Sequence, residues 1–368
     1  MIEIVCRTCG RKFDQEEPIW QCFCGGLLDV NGRAALPIKK VKERKPSMWR
    51  YREMIPIKDE KNIVSFNEGF TPLIEIPVNS EKIYFKMDFL FPTGSFKDRG
   101  ASVLVSKIKE LGIKKVLIDS SGNAGSAVSA YCAKAGIECL VLVPEHTSEE
   151  KMTQIKSYGA KLFVVQGNRD ETAFVALKLA QKMYYASHYY NPFFFQGTKT
   201  FAFEITEQLE WRVPDTLILP VGNGTLLLGA YIGFRELYEQ KIINEMPKLV
   251  GVQSNNCAPL FLMLKKNINT LPKITARQTI AEGIAVGKPT RANQIISAIR
   301  KTKGFIITVS DSEIKNAHKE MRLSGLYIEP TSAAVVAGIK KYLKLHHKHK
   351  KELIVSTFTG SGLKSHKK

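Results

Sequence analysis

The sequence lacks long hydrophobic runs and is poor in acidic residues. No uncharged apolar stretch approaches the roughly 20 residues that a membrane-spanning helix needs, so we expect no membrane segment. The start of the chain shows no basic segment followed by an apolar stretch, so we predict no secretory signal and a cytoplasmic location. Hydrophobic residues make up 44% of the chain, which excludes a wholly disordered protein. A length of 368 residues predicts two or three domains.

The shortage of acids leaves a formal net charge of +19. Such an excess is compatible with a nucleic-acid partner, with a small anionic substrate or with a lysine-rich surface. The sequence contains no recognised DNA- or RNA-binding module. We therefore expect a small anionic substrate and no nucleic-acid partner, and keep a nucleic-acid-binding protein as an alternative of a different class.

Cysteine is concentrated at one end of the chain, because four of the seven cysteines fall within the first 24 residues. They form two pairs, and four thiolates in two such knuckles suit tetrahedral Zn²⁺. The second pair reads C-x-C, whereas a typical knuckle reads C-x₂-C. We predict a zinc ribbon over residues 1–32 that holds a structural zinc ion. The alternative is a ribbon of reduced thiols without metal. The expected ligands are Cys6, Cys9, Cys22 and Cys24.

Short β-branched runs alternate with helical patterns from about residue 82 to the end of the chain. One such helix is predicted over residues 170–184. Strands that alternate with helices of ten to fifteen residues predict an α/β fold with parallel sheets covered by helices. In such folds the loops that follow the strands carry function.

Four polar clusters stand at positions of that kind. Residues 92–100 place Lys97 beside small hydroxylated residues, where a lysine of suppressed charge can form an imine. Residues 120–125 suit a carboxylate, and residues 221–225 suit a phosphate, because small residues expose amide groups at a helix start. Residues 359–362 add two hydroxyls. Each cluster alone could be structural, but together they describe pyridoxal phosphate with an amino-acid substrate.

At these positions the sequence resembles the threonine synthases, a family of pyridoxal-phosphate enzymes built like the tryptophan synthase β subunit. Residues 92–100 match the family motif P-T-G-S-F-K-D-R-G without a change, and residues 120–125 match S-S-G-N-x-G. Further matches are E-G-x-T-P-L at 68–73 and E-P-T-S-A-A at 329–334. The resemblance implies fold type II, with two open twisted, mostly parallel sheets. It also implies a large cofactor-binding domain of residues 33–100 and 190–368 and a small α/β domain of residues 101–189.

The resemblance also implies roles for individual residues. Lys97 carries the cofactor as an imine and moves protons, and Asn123 donates a hydrogen bond to the cofactor's phenolic oxygen. Thr359 faces the pyridine nitrogen, with Ser361 as second choice, and a hydroxyl there implies an uncharged ring. The expected phosphate loop is Gly222, Asn223, Gly224 and Thr225. The residues expected at the substrate are Thr71, Ser120, Ser121 and Lys199.

One departure bears on the substrate. The family pattern N-S-x-N-P-x-R has its arginine where this chain has Phe194, and an aromatic ring cannot supply the two-pronged donor set of a guanidinium. Either other cations bind the substrate's phosphate, or the substrate is not O-phosphohomoserine, or the alignment is shifted by a residue. The candidate cations are Lys86, Arg99 and Lys199.

The resemblance implies a threonine synthase, which converts O-phospho-L-homoserine and water to L-threonine and phosphate. The Phe194 departure motivates an alternative, a paralogue with simpler chemistry at Cβ. Such a paralogue would replace the phosphate of O-phosphoserine, in cysteine or cysteate synthesis, or dehydrate threonine or serine. Enzymes of this family often form homodimers, so a homodimer is a further expectation.

Overall fold

The computed structural model describes residues 2–32, 34–147, 149–346 and 352–364. The chain divides into two compact units. The first comprises Met1–Phe70 and Phe91–Thr200, and the second comprises Thr71–Leu90 and Phe201–Lys368. The division into a ribbon, a large domain and a small domain that the sequence suggested stays a prediction.

Strands and helices alternate along most of the described chain. The strands are β1 (Glu3–Cys6), β2 (Lys12–Asp14), β3 (Leu28–Asn31), β4 (Leu73–Val78), β5 (Glu81–Lys86), β6 (Lys115–Ile118), β7 (Glu138–Pro144), β8 (Lys161–Val165), β9 (Tyr184–Tyr185), β10 (Thr216–Pro220), β11 (Lys248–Ser254), β12 (Phe305–Val309) and β13 (Ile354–Thr357). The α-helices are α1 (Ile38–Glu43), α2 (Lys97–Glu110), α3 (Asn123–Ala135), α4 (Glu149–Ser157), α5 (Arg169–Leu179), α6 (Pro192–Thr198), α7 (Thr200–Gln208), α8 (Thr225–Glu239), α9 (Pro259–Lys265), α10 (Ala292–Lys301), α11 (Asp311–Leu323) and α12 (Pro330–His346).

The first unit contains two sheets. Strands β2, β1 and β3 form a small antiparallel sheet in that order. Strands β8, β7, β6 and β9 form a parallel sheet, in which Leu117 of β6 lies opposite Leu140 of β7 and Tyr185 of β9. Since parallel strands end at the same edge, the loops that follow the neighbouring strands β6 and β9 emerge side by side.

The second unit is built on one six-stranded sheet with the order β12-β11-β10-β13-β5-β4. All neighbouring pairs are parallel except β4 and β5. The inner strand β10 is buried along its whole length, which explains why it reads as a continuous apolar run without alternation. A core of apolar side chains from the sheet and from α12 supports the loops at its edge.

The α/β prediction is confirmed, with one parallel and one mixed sheet in addition to the small antiparallel sheet. The helix predicted over 170–184 is too long, because α5 ends at Leu179 and Tyr184–Tyr185 instead pair with β6. Among the described residues, the structure contains no helix with the length and apolar character required to cross a membrane.

Candidate active site

Lys97 is the first residue of α2. The loop that precedes it is fixed by hydrogen bonds to the side chain of its neighbour Asp98. The side chain of Asp98 accepts hydrogen bonds from the Thr93 amide, at 2.9 Å, and from the Thr93 hydroxyl. An acidic residue in the first turn also complements the helix dipole. The Nζ atom of Lys97 lies 4.5 Å from the ring centroid of Phe96 and 6.0 Å from that of Phe194. The lysine is therefore half-buried against aromatic faces.

The loop after β6 leads directly into α3. Gly122 caps this helix without a side-chain hydrogen bond, so the loop presents amide groups of the first turn. Gly125 is required there, because a Cβ atom on it would lie 1.8 Å from the carbonyl oxygen of Ser120. Ser120 is buried, whereas Ser121 and Asn123 are partly exposed. This arrangement suits a small anion such as a carboxylate.

The loop after β9 contributes side chains that the motifs did not reveal. The hydroxyl of Tyr189 donates to Asp119 Oδ2 at 2.7 Å, which joins this loop to the end of β6. His188 is buried, and its Nδ1 atom has no hydrogen-bond partner among the residues that the structure describes. Burial, with the charges of Lys97 and Arg169, holds the pKa of His188 well below its usual value. Burial likewise raises the pKa of Asp119, although two tyrosine hydroxyls donate to it.

Phe194 is an integral part of the first unit. It is fully buried, and a Cβ atom on Gly100 would lie 2.3 Å from its ring, so helices α2 and α6 meet at this pair. Its ring centroid is 5.9 Å from that of His188. Lys97 thus faces the rings of Phe96 and Phe194, and His188 packs against Phe194. Lys199, at the end of α6, is 1% exposed.

In the second unit, the loop 221–224 between β10 and α8 accepts only glycine at two positions. Gly224 has a φ of 75°, and a Cβ atom on it would lie 2.3 Å from Ile295 Cδ1. A Cβ atom on Gly222 would lie 2.8 Å from the carbonyl oxygen of Gly283. Gly224 caps the fifteen-residue helix α8 without a side-chain hydrogen bond. Such a start leaves amide groups for a phosphate, and Thr225 adds a hydroxyl.

Thr359 follows β13 and belongs to a closed group of polar side chains. Its Oγ1 atom donates to Glu329 Oε1 at 2.8 Å and lies 3.1 Å from Ser332 Oγ. Ser332 Oγ also accepts hydrogen bonds from the amides of Thr359, at 2.8 Å, and Gly360, at 3.2 Å. The sequence placed Glu329 and Ser332 in a family motif but assigned them no role.

Thr71 and Lys86 are engaged within the second unit. The Thr71 hydroxyl donates to Asp88 Oδ1 at 2.7 Å. Lys86 and Glu204 form a fully buried ion pair at 2.7 Å, and Lys86 also donates to the Thr71 carbonyl and to Gln208 Oε1. An ammonium group has three donors, so Lys86 serves the packing of this unit, and the idea that it replaces the arginine loses its support.

The four cysteines of the small antiparallel sheet converge. Their Sγ atoms all lie within 4.8 Å of one another, with 3.5 Å between Cys6 and Cys24 and 3.7 Å between Cys9 and Cys22. Tetrahedral zinc with Zn–S bonds of about 2.3 Å requires sulfurs about 3.8 Å apart. The spacing of the sulfur atoms therefore fits zinc. Burial opposes ionisation, but the amides of Cys9 and Thr8 lower the pKa of Cys6 to about 6. The amide of Cys24 lowers the pKa of Cys22, but burial and the neighbouring thiols outweigh it and raise that pKa to about 12.

The predicted residues thus fall into both compact units. The first contains Lys97, Ser120, Ser121, Asn123, Lys199 and the four cysteines, and the second contains Thr71, Gly222, Asn223, Gly224, Thr225 and Thr359. Sequence reasoning missed His188, Asp119, Glu329 and Ser332. The position of His188 after a two-residue strand gave no periodic signal, and Asp119 stood one residue before the quoted motif.

These loops define the class of protein. A model of the family described as pyridoxal-phosphate dependent enzymes matches residues 64–360, and the chain belongs to that family. It is 38% identical to a threonine synthase of Methanocaldococcus jannaschii, over 98% of this chain and 92% of the relative. It is 37% identical to a threonine synthase of Methanosarcina acetivorans, over 99% of this chain and 92% of the relative. The resemblance to threonine synthases is therefore confirmed.

The fold is also shared with a solved structure. A pyridoxal 5′-phosphate-dependent aspartate racemase superposes with a TM-score of 0.70 at 23% identity, over 90% of this chain and 97% of the racemase. At that identity the likeness concerns the fold alone.

Proposed function

We propose that this chain is a threonine synthase, which converts O-phospho-L-homoserine and water to L-threonine and phosphate. The observation that carries the proposal is the similarity to threonine synthases over nearly the whole length of both chains. It is supported by Lys97 at the start of α2 and by glycine loops whose backbone leaves no room for side chains.

The residues present fit pyridoxal phosphate. The proposed phosphate loop is the glycine cradle at 222–224 with Thr225, where helix α8 offers uncapped amides. Lys97 would hold the cofactor covalently, Asn123 would donate to its phenolic oxygen, and Thr359 would face the ring nitrogen. When bound, pyridoxal phosphate supplies an electron sink for the electron pair left when a proton departs from the substrate's Cα.

The other steps belong to the chain's own side chains. We propose that Ser120 and Ser121, with the amides at the start of α3, bind the substrate's carboxylate. Thr71 is proposed to bind the substrate through its backbone amide, because its hydroxyl hydrogen is donated to Asp88. Lys97, packed against Phe96 and Phe194, is proposed to take the proton from Cα.

A second candidate function is favoured by Phe194. This fully buried ring stands where the family has an arginine, and it lies beside a neutral histidine. A wall without positive charge is a weak site for a phosphate dianion, although Lys199 remains a candidate for that task. The second candidate is chemistry at Cβ of serine-type substrates. Dehydration of threonine or serine needs no phosphate site, whereas replacement of the phosphate of O-phosphoserine would still need a cation such as Lys199.

A panel of substrates separates the two functions. The purified holoprotein is incubated with O-phosphohomoserine, O-phosphoserine, threonine and serine, and phosphate, threonine and keto acids are measured. We expect phosphate and threonine in equal amounts from O-phosphohomoserine. Turnover of O-phosphoserine or threonine alone would overturn the first proposal in favour of the second.

We further propose that Cys6, Cys9, Cys22 and Cys24 bind one structural zinc ion. Within the first unit, the ribbon that contains them packs through Trp20, whose ring lies 5.1 Å from that of Tyr185 and 5.7 Å from that of Tyr190. We expect one zinc per chain by metal analysis and loss of it in Cys9→Ser. Cys257→Ser should retain the metal, because that cysteine lies in the second unit. The proposal would be contradicted if wild-type protein freed of metal were as stable as wild-type protein supplied with zinc.

A cytoplasmic location and a homodimer stay predictions, as does the absence of nucleic-acid and membrane partners.

A further inference from the structure

An aromatic side chain of the ribbon lies against the strand that carries the loop after β9. Trp20 stands between β2 and β3, two residues before the predicted zinc ligand Cys22. Its ring meets those of Tyr185 and Tyr190 edge-on, with centroids 5.1 and 5.7 Å apart and interplanar angles of 86° and 89°. Tyr185 is fully buried and Trp20 is partly exposed, so the tryptophan lies between this tyrosine and the surface of the unit.

The tyrosine beneath Trp20 is connected to the end of β6. The hydroxyl of Tyr185 lies 3.3 Å from that of Tyr189, and the latter lies 2.7 Å from Asp119 Oδ2. These contacts join the three side chains whichever oxygen carries each hydrogen, so the connection does not depend on the ionisation of Asp119. Chains of packed rings and hydrogen bonds of this kind carry energetic coupling between distant groups.

Asp119 is the residue directly before the loop at 120–125. The loop is closely packed, because a Cβ atom on Gly125 would lie 1.8 Å from the carbonyl oxygen of Ser120. Gly122 caps α3 without a side-chain hydrogen bond, so no side chain of the cap residue fixes the amides at the helix start. The orientation of these amides is therefore set by the two ends of the loop, which are α3 on one side and Asp119 on the other.

We infer that Trp20 is a positioning residue for the substrate's carboxylate, through the contacts that lead from its ring by way of Tyr185 and Tyr189 to Asp119. The inference rests on the proposed function, in which the loop 120–125 binds that carboxylate. It gives the ribbon a task in the enzyme besides metal binding. Loss of the ring leaves a space beside Tyr185, into which the tyrosine can turn, and its hydroxyl then moves away from Tyr189.

The test measures KM and kcat separately in holoprotein supplied with O-phosphohomoserine. In Trp20→Leu, which keeps an apolar side chain but loses the ring contacts, we expect KM to rise by about fivefold or more. We expect kcat to change by less than about twofold, because a carboxylate far from the reacting bonds is bound equally before and during the reaction. Trp20→Phe keeps an aromatic ring and should restore KM to within about twofold of wild type.

Phe23→Ala is the matched control in the ribbon. Phe23 is 80% exposed, and its ring pairs with that of Phe13 at 5.8 Å. We expect this variant to keep the wild-type KM, because the change removes a ribbon aromatic that lies outside the route to Asp119.

A double-mutant cycle tests the route itself. Tyr189→Phe removes only the hydroxyl that lies 2.7 Å from Asp119 Oδ2, and we expect it to raise KM by a factor similar to that of Trp20→Leu. In the double variant we expect KM within about twofold of the larger single effect, because both changes break the same chain of contacts. Two effects that multiply would show independent action and overturn the inference.

The outcomes separate the inference from the proposed function. A Trp20→Leu protein with a lower melting temperature but a wild-type KM would overturn the inference and leave the function standing. Should Trp20→Leu not fold, Tyr189→Phe decides alone, and a wild-type KM in that variant overturns the inference. If wild type turns over O-phosphoserine or threonine instead, the proposed function falls, and KM for that substrate, which also carries an α-carboxylate, decides the inference. A holoprotein that turns over none of these amino acids would overturn both.

Discussion

The surroundings of Lys97 in the first unit differ in kind from those of Thr359 in the second. Around Lys97 lie the aromatic rings of Phe96 and Phe194, and the nearby His188 is kept neutral by burial. We call Phe96, Phe194 and His188 the aromatic wall. Around Thr359, two hydroxyls and one carboxylate are joined by hydrogen bonds of 2.8 to 3.1 Å. We call Glu329, Ser332 and Thr359 the Thr359 cluster.

The difference shows which side chains near the proposed cofactor are constrained by the backbone and which only fill space. In the Thr359 cluster and the glycine cradle, close contacts with the backbone leave no room for larger side chains, so few substitutions can be accommodated there. The aromatic wall consists of side chains that fill space beside a reactive lysine, and its composition can change the substrate without disturbing the cofactor. We therefore expect substitutions in the wall to alter specificity and substitutions in the second unit to alter cofactor binding.

The largest effect is expected for Lys97→Ala, set against Thr359→Ala. Loss of the lysine removes both the covalent attachment of the cofactor and the base, and we expect threonine formation to fall by about 10³-fold or more. Loss of the Thr359 hydroxyl removes one hydrogen bond to the ring, and we expect a decrease of about tenfold. The measurements are the initial rate and the visible absorption band of the bound cofactor, which should disappear only in Lys97→Ala.

The exposed Lys114 provides a control of the same residue type, since Lys114→Ala should leave both quantities unchanged. Equal losses in Lys97→Ala and Thr359→Ala would contradict the division of labour between the two units.

Phe194→Arg breaks the aromatic wall by placing a guanidinium where the family pattern predicts an arginine. A charge-assisted, two-pronged contact to phosphate contributes about 1.5–3 kcal/mol. We expect kcat/KM for O-phosphohomoserine, relative to threonine or serine as substrate, to rise by about tenfold or more. The ratio is the quantity to measure, because burial of an unpaired arginine will also lower the melting temperature. Phe194→Met keeps the site apolar, and an equal change of the ratio in this variant would refute the role of charge.

A smaller effect is expected when the glycine cradle is altered, and it should appear in cofactor binding. In Gly224→Ala the added methyl group meets Ile295 and the residue must keep a φ of 75°, which together cost about 1–3 kcal/mol. We expect the dissociation constant of pyridoxal phosphate to rise by about tenfold. Gly325→Ala is the matched control, because its φ is 82° but no atom lies within 4 Å of the added Cβ atom. It should lose stability and keep its cofactor affinity.

The sequence was sufficient for features that depend on local pattern. The buried run of β10 and the polar residues after it predicted a strand followed by a loop, because strand and loop lie together in the chain. That this loop binds phosphate stays a prediction. It was insufficient where distant residues meet. The strand Tyr184–Tyr185 is too short to show an alternation of apolar and polar residues. The sequence therefore did not indicate that His188 lies near Lys97. Only the fold shows that Lys86 is paired with Glu204, or that Glu329 lies beside Thr359.

The smallest effect concerns acid stability and tests whether the aromatic wall is held neutral. The pKa of His188 is lowered by burial and then by the charges of Lys97 and Arg169. The unfolded chain, with a histidine pKa of about 6.5, therefore binds a proton that the folded chain does not. Stability is full above pH 6.5 and falls as the pH drops toward the lower folded value, by up to about 1.4 kcal/mol per pH unit.

Urea unfolding at several pH values between 7.5 and 4.5 measures this dependence. In His188→Gln, which does not titrate, we expect a shallower decrease of the unfolding midpoint toward low pH than in wild type. His146→Gln should retain the wild-type dependence, because that histidine is exposed. If His188→Gln and wild type lose stability in parallel, burial does not lower the pKa of the imidazole in the folded protein. The aromatic wall would then not be held neutral against protonation, and its contrast with the Thr359 cluster of the second unit would no longer hold.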